Sequence, residues 1–291
     1  MLSRVGLSFA RWAPGLFVLL WSTGFVGAKF GLPYAEPVTF MAWRYCLVSL
    51  TLGAVVLWLR APWPRAPRMY LHLGVSGLLM HGFYIGGVFI AIARGMNSGI
   101  AALIVGVQPL LTAALSGPLL GERLSRLQWA GFFLGFAGLA LTVHRSLAAG
   151  EMPVFGLVSC SIALLAITSG TLYQKRYTAG VDNRVGALVQ FMATAVACVL
   201  VSHFFETAVV QWHPRFVFAL GWLCIVLSLG AISILWLLIR QGEAARVASL
   251  FYLVPPVVAL EGFLLFGETL SALQMLGIAV TATGVALINR I

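Results

Sequence analysis

Charge is what this sequence has least of. Only 9% of the 291 residues are charged, and Asp and Glu together number eight, where a soluble domain carries about a quarter charged residues. With 61% of the chain hydrophobic, too little polar surface remains to dissolve a globule of this size. Cysteine is scarce as well. Cys46, Cys160, Cys198 and Cys224 all lie inside apolar runs and lack metal-ligand spacing, so they read as small buried hydrophobes rather than a disulfide framework or a metal site. No glycine-rich phosphate loop of either common type follows a strand, so nothing supports dinucleotide chemistry, ATP-driven transport or an ATPase partner. No H-E-x-x-H or paired-Asp motif occurs, and His81, in GLLMHGFY, has no evident nucleophile partner. No catalytic residue and no cofactor are therefore expected, and an intramembrane enzyme is disfavoured.

What the chain does have is a succession of apolar runs, each near the roughly 20 residues that cross a hydrocarbon core of about 30 Å. Lipid is the solvent for most of this surface. Backbone amides in lipid need internal partners, which leaves helices or a closed barrel, and the runs do not alternate as barrel strands would. Helices are expected over 13–32, 38–59, 70–92, 98–119, 126–144, 154–175, 185–205, 217–239, 245–266 and 271–289. The first run reads as a span rather than a removable leader, since it lacks a clear small-residue cleavage site.

The net charge of +10 does not point to nucleic acid, because the basic residues sit in short gaps between spans rather than in one patch. They encode direction instead. With the N-terminus inside, inner segments hold thirteen Lys or Arg, and outer segments hold four, Lys29, Arg94, Arg145 and Arg215. This positive-inside bias predicts that both termini are cytoplasmic.

GERLSRLQWAG at 121–131 returns as GETLSALQMLG at 267–277 without its arginines. Five spans separate the copies, so the second is upside down and faces the outside, where arginine would oppose export of the loop. The same 146-residue offset aligns Gly24 with Gly170, Lys29 with Lys175, Arg94 with Arg240 and Pro109 with Pro255. The expected organisation is two inverted five-helix repeats, residues 1–146 and 147–291. Such halves can exchange conformations around a midplane site, which is the physical case for a transporter.

The WSTGF segment (21–25), PVTFMAWR (37–44), and a proline followed after eleven residues by GE-x-LS, once from Pro109 and once from Pro255, carry a family resemblance over the whole chain. The sequence resembles the EamA-type members of the drug/metabolite transporter superfamily, and most of all the YddG-type bacterial inner-membrane exporters of aromatic and other amino acids. The resemblance implies an all-α membrane fold, a basket of eight helices around a central cavity with the fifth helix of each repeat outside, and export of small metabolites with no metal. The alternatives are a drug or nucleotide-sugar carrier, or a channel or lipid-translocating protein. A phosphate-bearing substrate would call for more cavity cations. The chain departs from twofold symmetry where Gln190 stands at the place of Arg44.

Polar groups inside spans are expensive and face a cavity or a partner helix. In the third span Gly74, Gly77, His81, Tyr84 and Val88 share one helical face. His81 and Tyr84 are candidate substrate contacts, and packing against a neighbouring helix is the plain alternative. Gln108 lies on a stripe of the fourth span beside Pro109, and Tyr252 precedes Pro255 in the ninth; these prolines are candidate gating hinges, or static kinks. Trp21 is a candidate cavity wall, as are Trp43 and Trp236. Lys29 and Lys175 are a candidate pair of gate residues at opposite mouths, with snorkelling to the interface as the alternative. Arg44 would meet substrate or pair with Glu36. Glu261 could carry a proton or hydrogen-bond at the interface. Glu122 and Glu268 are expected to brace the last helix of each half.

Overall fold

The computed structural model describes residues 2–96, 98–121, 123–148, 154–241, 244–266 and 271–289. Among these residues the fold is helical, apart from an isolated antiparallel bridge between Ala35 and Val210. The first half contains α1 (Leu2–Gly31), α2 (Pro37–Trp58), α3 (Pro67–Gly77), a π-helical segment Leu78–Phe83, α4 (Tyr84–Ala93), α5 (Ser98–Val105), α6 (Gln108–Leu120) and α7 (Arg126–Ala148). The second contains α8 (Val154–Tyr177), α9 (Asn183–Phe205), α10 (Pro214–Trp222), a π-helical segment Leu223–Ala231, α11 (Ile232–Gln241), α12 (Ala244–Ser249), a 3₁₀ turn Leu250–Leu253, α13 (Val254–Phe266) and α14 (Ala272–Asn289).

Six described helices are long and apolar enough to cross a membrane: Trp12–Gly31, Pro37–Trp58, Pro67–Ala93, Val154–Tyr177, Asn183–Phe205 and Pro214–Ile239. The protein is a multi-pass membrane protein. Two expected spans are interrupted. The one over 98–119 breaks between α5 and α6, and Pro109 sits in the first turn of α6 rather than inside a helix. The one over 245–266 breaks at the 3₁₀ turn, with Pro255 and Pro256 in the first turn of α13. Proline is tolerated there because the first amides of a helix have no intrahelical partner to lose.

Two pairs of helices related by the 146-residue offset pack against one another. α2 and α9 lie antiparallel: Glu206, just beyond the C-terminus of α9, accepts hydrogen bonds from the backbone amides of Val38 (2.9 Å) and Thr39 (2.6 Å) in the first turn of α2. α7 and α14 also run antiparallel, in backbone contact. A Cβ on Gly284 would lie 2.7 Å from the carbonyl oxygen of Gly131, and one on Gly138 would lie 2.7 Å from that of Gly277. Small residues permit this approach. Further contacts cross between halves. α1 packs on α10 and its π segment, while α8 packs on α3, its π segment and α4.

The repeated motif has a local structural explanation. Gly121 ends α6 in the left-handed conformation (φ 74°) that glycine adopts without strain. Ser125 and Gln128 then form a capping box for α7: the Ser125 amide donates to Gln128 Oε1 (2.9 Å) and the Gln128 amide to Ser125 Oγ (3.2 Å). Ser271 and Gln274 repeat the box at the same distances before α14. The capping therefore falls to the Ser and Gln of the motif. Glu122 and Glu268 lie outside the described residues.

Candidate functional site

Where the halves meet, each second helix turns one polar side chain into the opposite half. Arg44 of α2 is 1% exposed, and its Nε donates to Ser228 Oγ (3.0 Å) in the second π segment. Ser228 in turn donates to the carbonyl of Leu223, five residues back (2.9 Å). Gln190 of α9, the counterpart of Arg44, is completely buried and faces the first π segment. His81 Nε2 donates to Gln190 Oε1 (3.2 Å), and Gln190 Nε2 donates to Ser76 Oγ (3.2 Å) and Gln174 Oε1 (3.1 Å). Ser76 Oγ also donates to Gln174 Oε1 (3.1 Å).

The two centres end differently. Every side-chain polar atom of Gln190 has a partner, whereas neither terminal nitrogen of Arg44 has one among the described residues. An unpaired buried guanidinium is costly, and Tyr45, whose ring centroid lies 5.3 Å from the Arg44 guanidinium carbon, compensates in part. Arg44 lines a pocket with Trp21, Gly24, Phe25, Tyr84, Ile85, Val88, Phe89 and Leu227. The free space is about 30 Å³, enough for one or two waters, so the pocket is too small for an aromatic ring as it stands. Trp21 stacks edge-on with Phe251 (5.4 Å between centroids).

The structure divides the sequence candidates. Trp21, Arg44 and Tyr84 come together at this pocket. His81 lies instead in the Gln190 network, its ring between Tyr45 and Phe191 and its Nδ1 without a partner among the described residues. The single face expected for 74, 77, 81, 84 and 88 is split, because a π turn takes more residues than an α turn and rotates the next stretch of helix. Gly74 and Gly77 abut Ala193 and Gln190 of α9, whereas Tyr84 and Val88 line the pocket. Arg44 does not pair with Glu36. The glutamate sits two turns away at the N-terminus of α2, where its Oε2 accepts from the Thr207 amide (2.6 Å).

Trp43 is 41% exposed, edge-on to Trp212 (5.1 Å). Adjacent helical residues point about 100° apart, so turning Arg44 inward turns Trp43 outward. Trp236 is buried over Gly186 of α9 and is not among the residues lining the pocket. Gln108 is buried and donates from Nε2 to Thr112 Oγ1 (3.0 Å). Tyr252 is buried against Phe132 and Gly135 of α7. Both stand apart from the pocket-lining set, and Gln108 Oε1 and the Tyr252 hydroxyl lack partners among the described residues. Lys29 and Lys175 occupy the last turns of α1 and α8, the equivalent ends of equivalent helices. Glu261 is half-buried on α13.

Ser228, Gln174 and Ser76 join the site through structure alone. Their sequence signal is a neutral polar side chain inside an apolar span, which is common and usually bonds locally.

The EamA-like transporter family model matches the chain twice, over residues 15–144 and 154–290. The uncharacterized inner membrane transporter YedA of Escherichia coli K12 is 28% identical over 272 residues, covering 93% of this chain and 87% of its own. A probable amino-acid metabolite efflux pump of the same organism is 28% identical over 278 residues, covering 92% and 91%. The uncharacterized transporter YvbV of Bacillus subtilis is 26% identical over 280 residues, covering 94% and 88%. A solved crystal structure superposes with a TM-score of 0.76 over 96% of both chains at 22% identity, which establishes likeness of fold alone. The chain is a transporter rather than an enzyme, and it belongs to the EamA-like transporter family.

Proposed function

We propose that the protein exports amino acids or similar small metabolites across a bacterial inner membrane, by alternating access between inverted repeats 1–146 and 147–291, with both termini cytoplasmic. The observation that carries this reading is the crossed pairing at the centre. Arg44 and Gln190, equivalent by offset and carried on antiparallel helices, each engage the π segment of the other half. An exchange of conformations between the halves would rework both contacts at once and expose the pocket to alternate sides. π segments within longer helices often mark functional sites. The positive-inside charge bias supports the direction, and relatives named as an inner membrane transporter and an amino-acid metabolite efflux pump support the location and substrate range.

In this reading Trp21 and Tyr84 contact substrate. The broken helices beginning at Pro109 and Pro255 act as gates, and Lys29 and Lys175 mark the two mouths. The test is counterflow in proteoliposomes with labelled amino acids, unlabelled competitors and two imposed pH gradients. Saturable, competed counterflow is expected. Flux without saturation or counterflow would instead indicate a channel.

A further inference from the structure

We infer that the pocket beside Arg44 is a carboxylate site, which recognises the anionic end of an apolar, preferably aromatic, solute and makes no provision for an ammonium group. The inference rests on the transport reading above and narrows its substrates at this site to carboxylate-bearing small metabolites, away from zwitterionic amino acids.

Three observations lead there. Arg44 is 1% exposed, its Nε is held by Ser228, and its two terminal nitrogens are left without partners among the described residues. Those nitrogens form the planar fork that matches a carboxylate with two parallel hydrogen bonds. With Nε anchored, the fork is already oriented before a ligand arrives, so little rotamer entropy remains to be lost on binding.

The lining supplies the second observation. Apart from Arg44 the pocket walls are Trp21, Phe25, Tyr84, Phe89 and aliphatic side chains, with Gly24 giving close access. Among the described residues no acidic or amide side chain lines it. Among the described residues the one hydroxyl lining it is that of Tyr84, which is neutral and offers an ammonium no counter-charge. A zwitterion entering this site would neutralise Arg44 with its carboxylate but bury its ammonium without a counter-charge, which is unfavourable. A monocarboxylate has no such debit.

The third observation is the asymmetry between halves. At the equivalent place Gln190 has no charge and no free polar atom. The open guanidinium is therefore particular to one half rather than a by-product of the repeated architecture. The pocket must widen from about 30 Å³ to admit a ring, and the proposed motion between the halves would supply that. Gly24 and Leu227, 3.1 Å apart when a Cβ is placed on the glycine, mark the contact that would part.

The experiment uses a matched series on the purified full chain in nanodiscs: 3-phenylpropionate, phenylalanine and phenethylamine, which carry the carboxylate alone, both charges, and the ammonium alone. Binding is measured by calorimetry. Phenylpropionate is expected to bind at least about 10-fold more tightly than phenylalanine, about 1.4 kcal/mol, and phenethylamine not measurably. Arg44→Gln should weaken phenylpropionate binding by about 10-fold or more without lowering the melting temperature. Arg44→Lys, which keeps the charge but loses the fork, should fall between. Equal affinity for phenylalanine and phenylpropionate, unchanged affinity in Arg44→Gln, or no binding of any of the three would overturn the carboxylate assignment. Counterflow of other metabolites would still be measurable in each of those cases, so the transport reading stands or falls separately.

Discussion

Arg44 and Gln190 occupy the same place in two copies of one design, yet one is left open and the other closed. Gln190 ties together Ser76, Gln174 and His81 from two other helices, and its side-chain amide is satisfied. Arg44 is fixed by one bond and leaves two charged donors unused. A closed buried network rigidifies a helix interface. An open buried charge destabilises the empty protein. Under the carboxylate proposal the difference assigns stability to one half of the centre and recognition to the other.

The comparison is broken most forcefully at the closed side. Gln190→Leu would leave His81 Nε2 without its acceptor and take one partner each from Ser76 Oγ and Gln174 Oε1, which keep their mutual bond, at about 1–3 kcal/mol for the group left unsatisfied. A large fall in melting temperature is expected in nanodiscs, and an unchanged value would show that the network contributes no stability.

Gly77→Ala tests the same interface sterically. Its Cβ would lie 2.5 Å from the carbonyl oxygen of Gln190, and such overpacking costs about 1–3 kcal/mol. The expected loss of stability would be absent if α3 and α9 were loosely packed.

At the open side the sign reverses. Arg44→Gln removes a buried unpaired charge, so thermal stability should hold or rise, by an amount between zero and about 4 kcal/mol, while transport of carboxylates falls. A variant that instead unfolds would make Arg44 a structural residue like its counterpart.

The smallest effect is expected where α2 begins. The Thr207 hydroxyl and amide both donate to Glu36 and hold its carboxyl below the usual 4.5. A lowered folded pKa means the contribution is complete above pH 4.5 and fades as pH drops through the folded value. Because the site is exposed, the effect on melting temperature below pH 4.5 should be slight, and it should be absent in Glu36→Gln. Faster amide exchange at Thr207 in that variant is the sharper readout.

Much of the scaffold was legible because hydropathy reports span length directly. The expected spans at 38–59, 185–205 and 217–239 lie within about three residues of the long apolar helices observed. Arg44 and Trp21 stood out because charge and tryptophan deep in a span demand an explanation. The π segments were hidden: heptad-like spacing from Gly74 to Val88 reads as one face, and only backbone geometry shows the inserted residue that parts His81 from Tyr84. Trp43 and Trp236 miss the pocket lining because residue type alone does not report direction around a helix. The breaks before Pro109 and Pro255 were marked by proline, but its position in the first turn of a new helix depends on where the preceding turn stops.

The antiparallel relation of the two halves is tested most directly by labelling Arg123→Cys and Thr269→Cys, singly, in a background lacking the four native cysteines, with a membrane-impermeant maleimide. Inverted repeats predict reaction from opposite faces, residue 123 from the cytoplasm and residue 269 from outside. Labelling of both from the same face would contradict that inversion and, with it, alternating access through the pocket at Arg44.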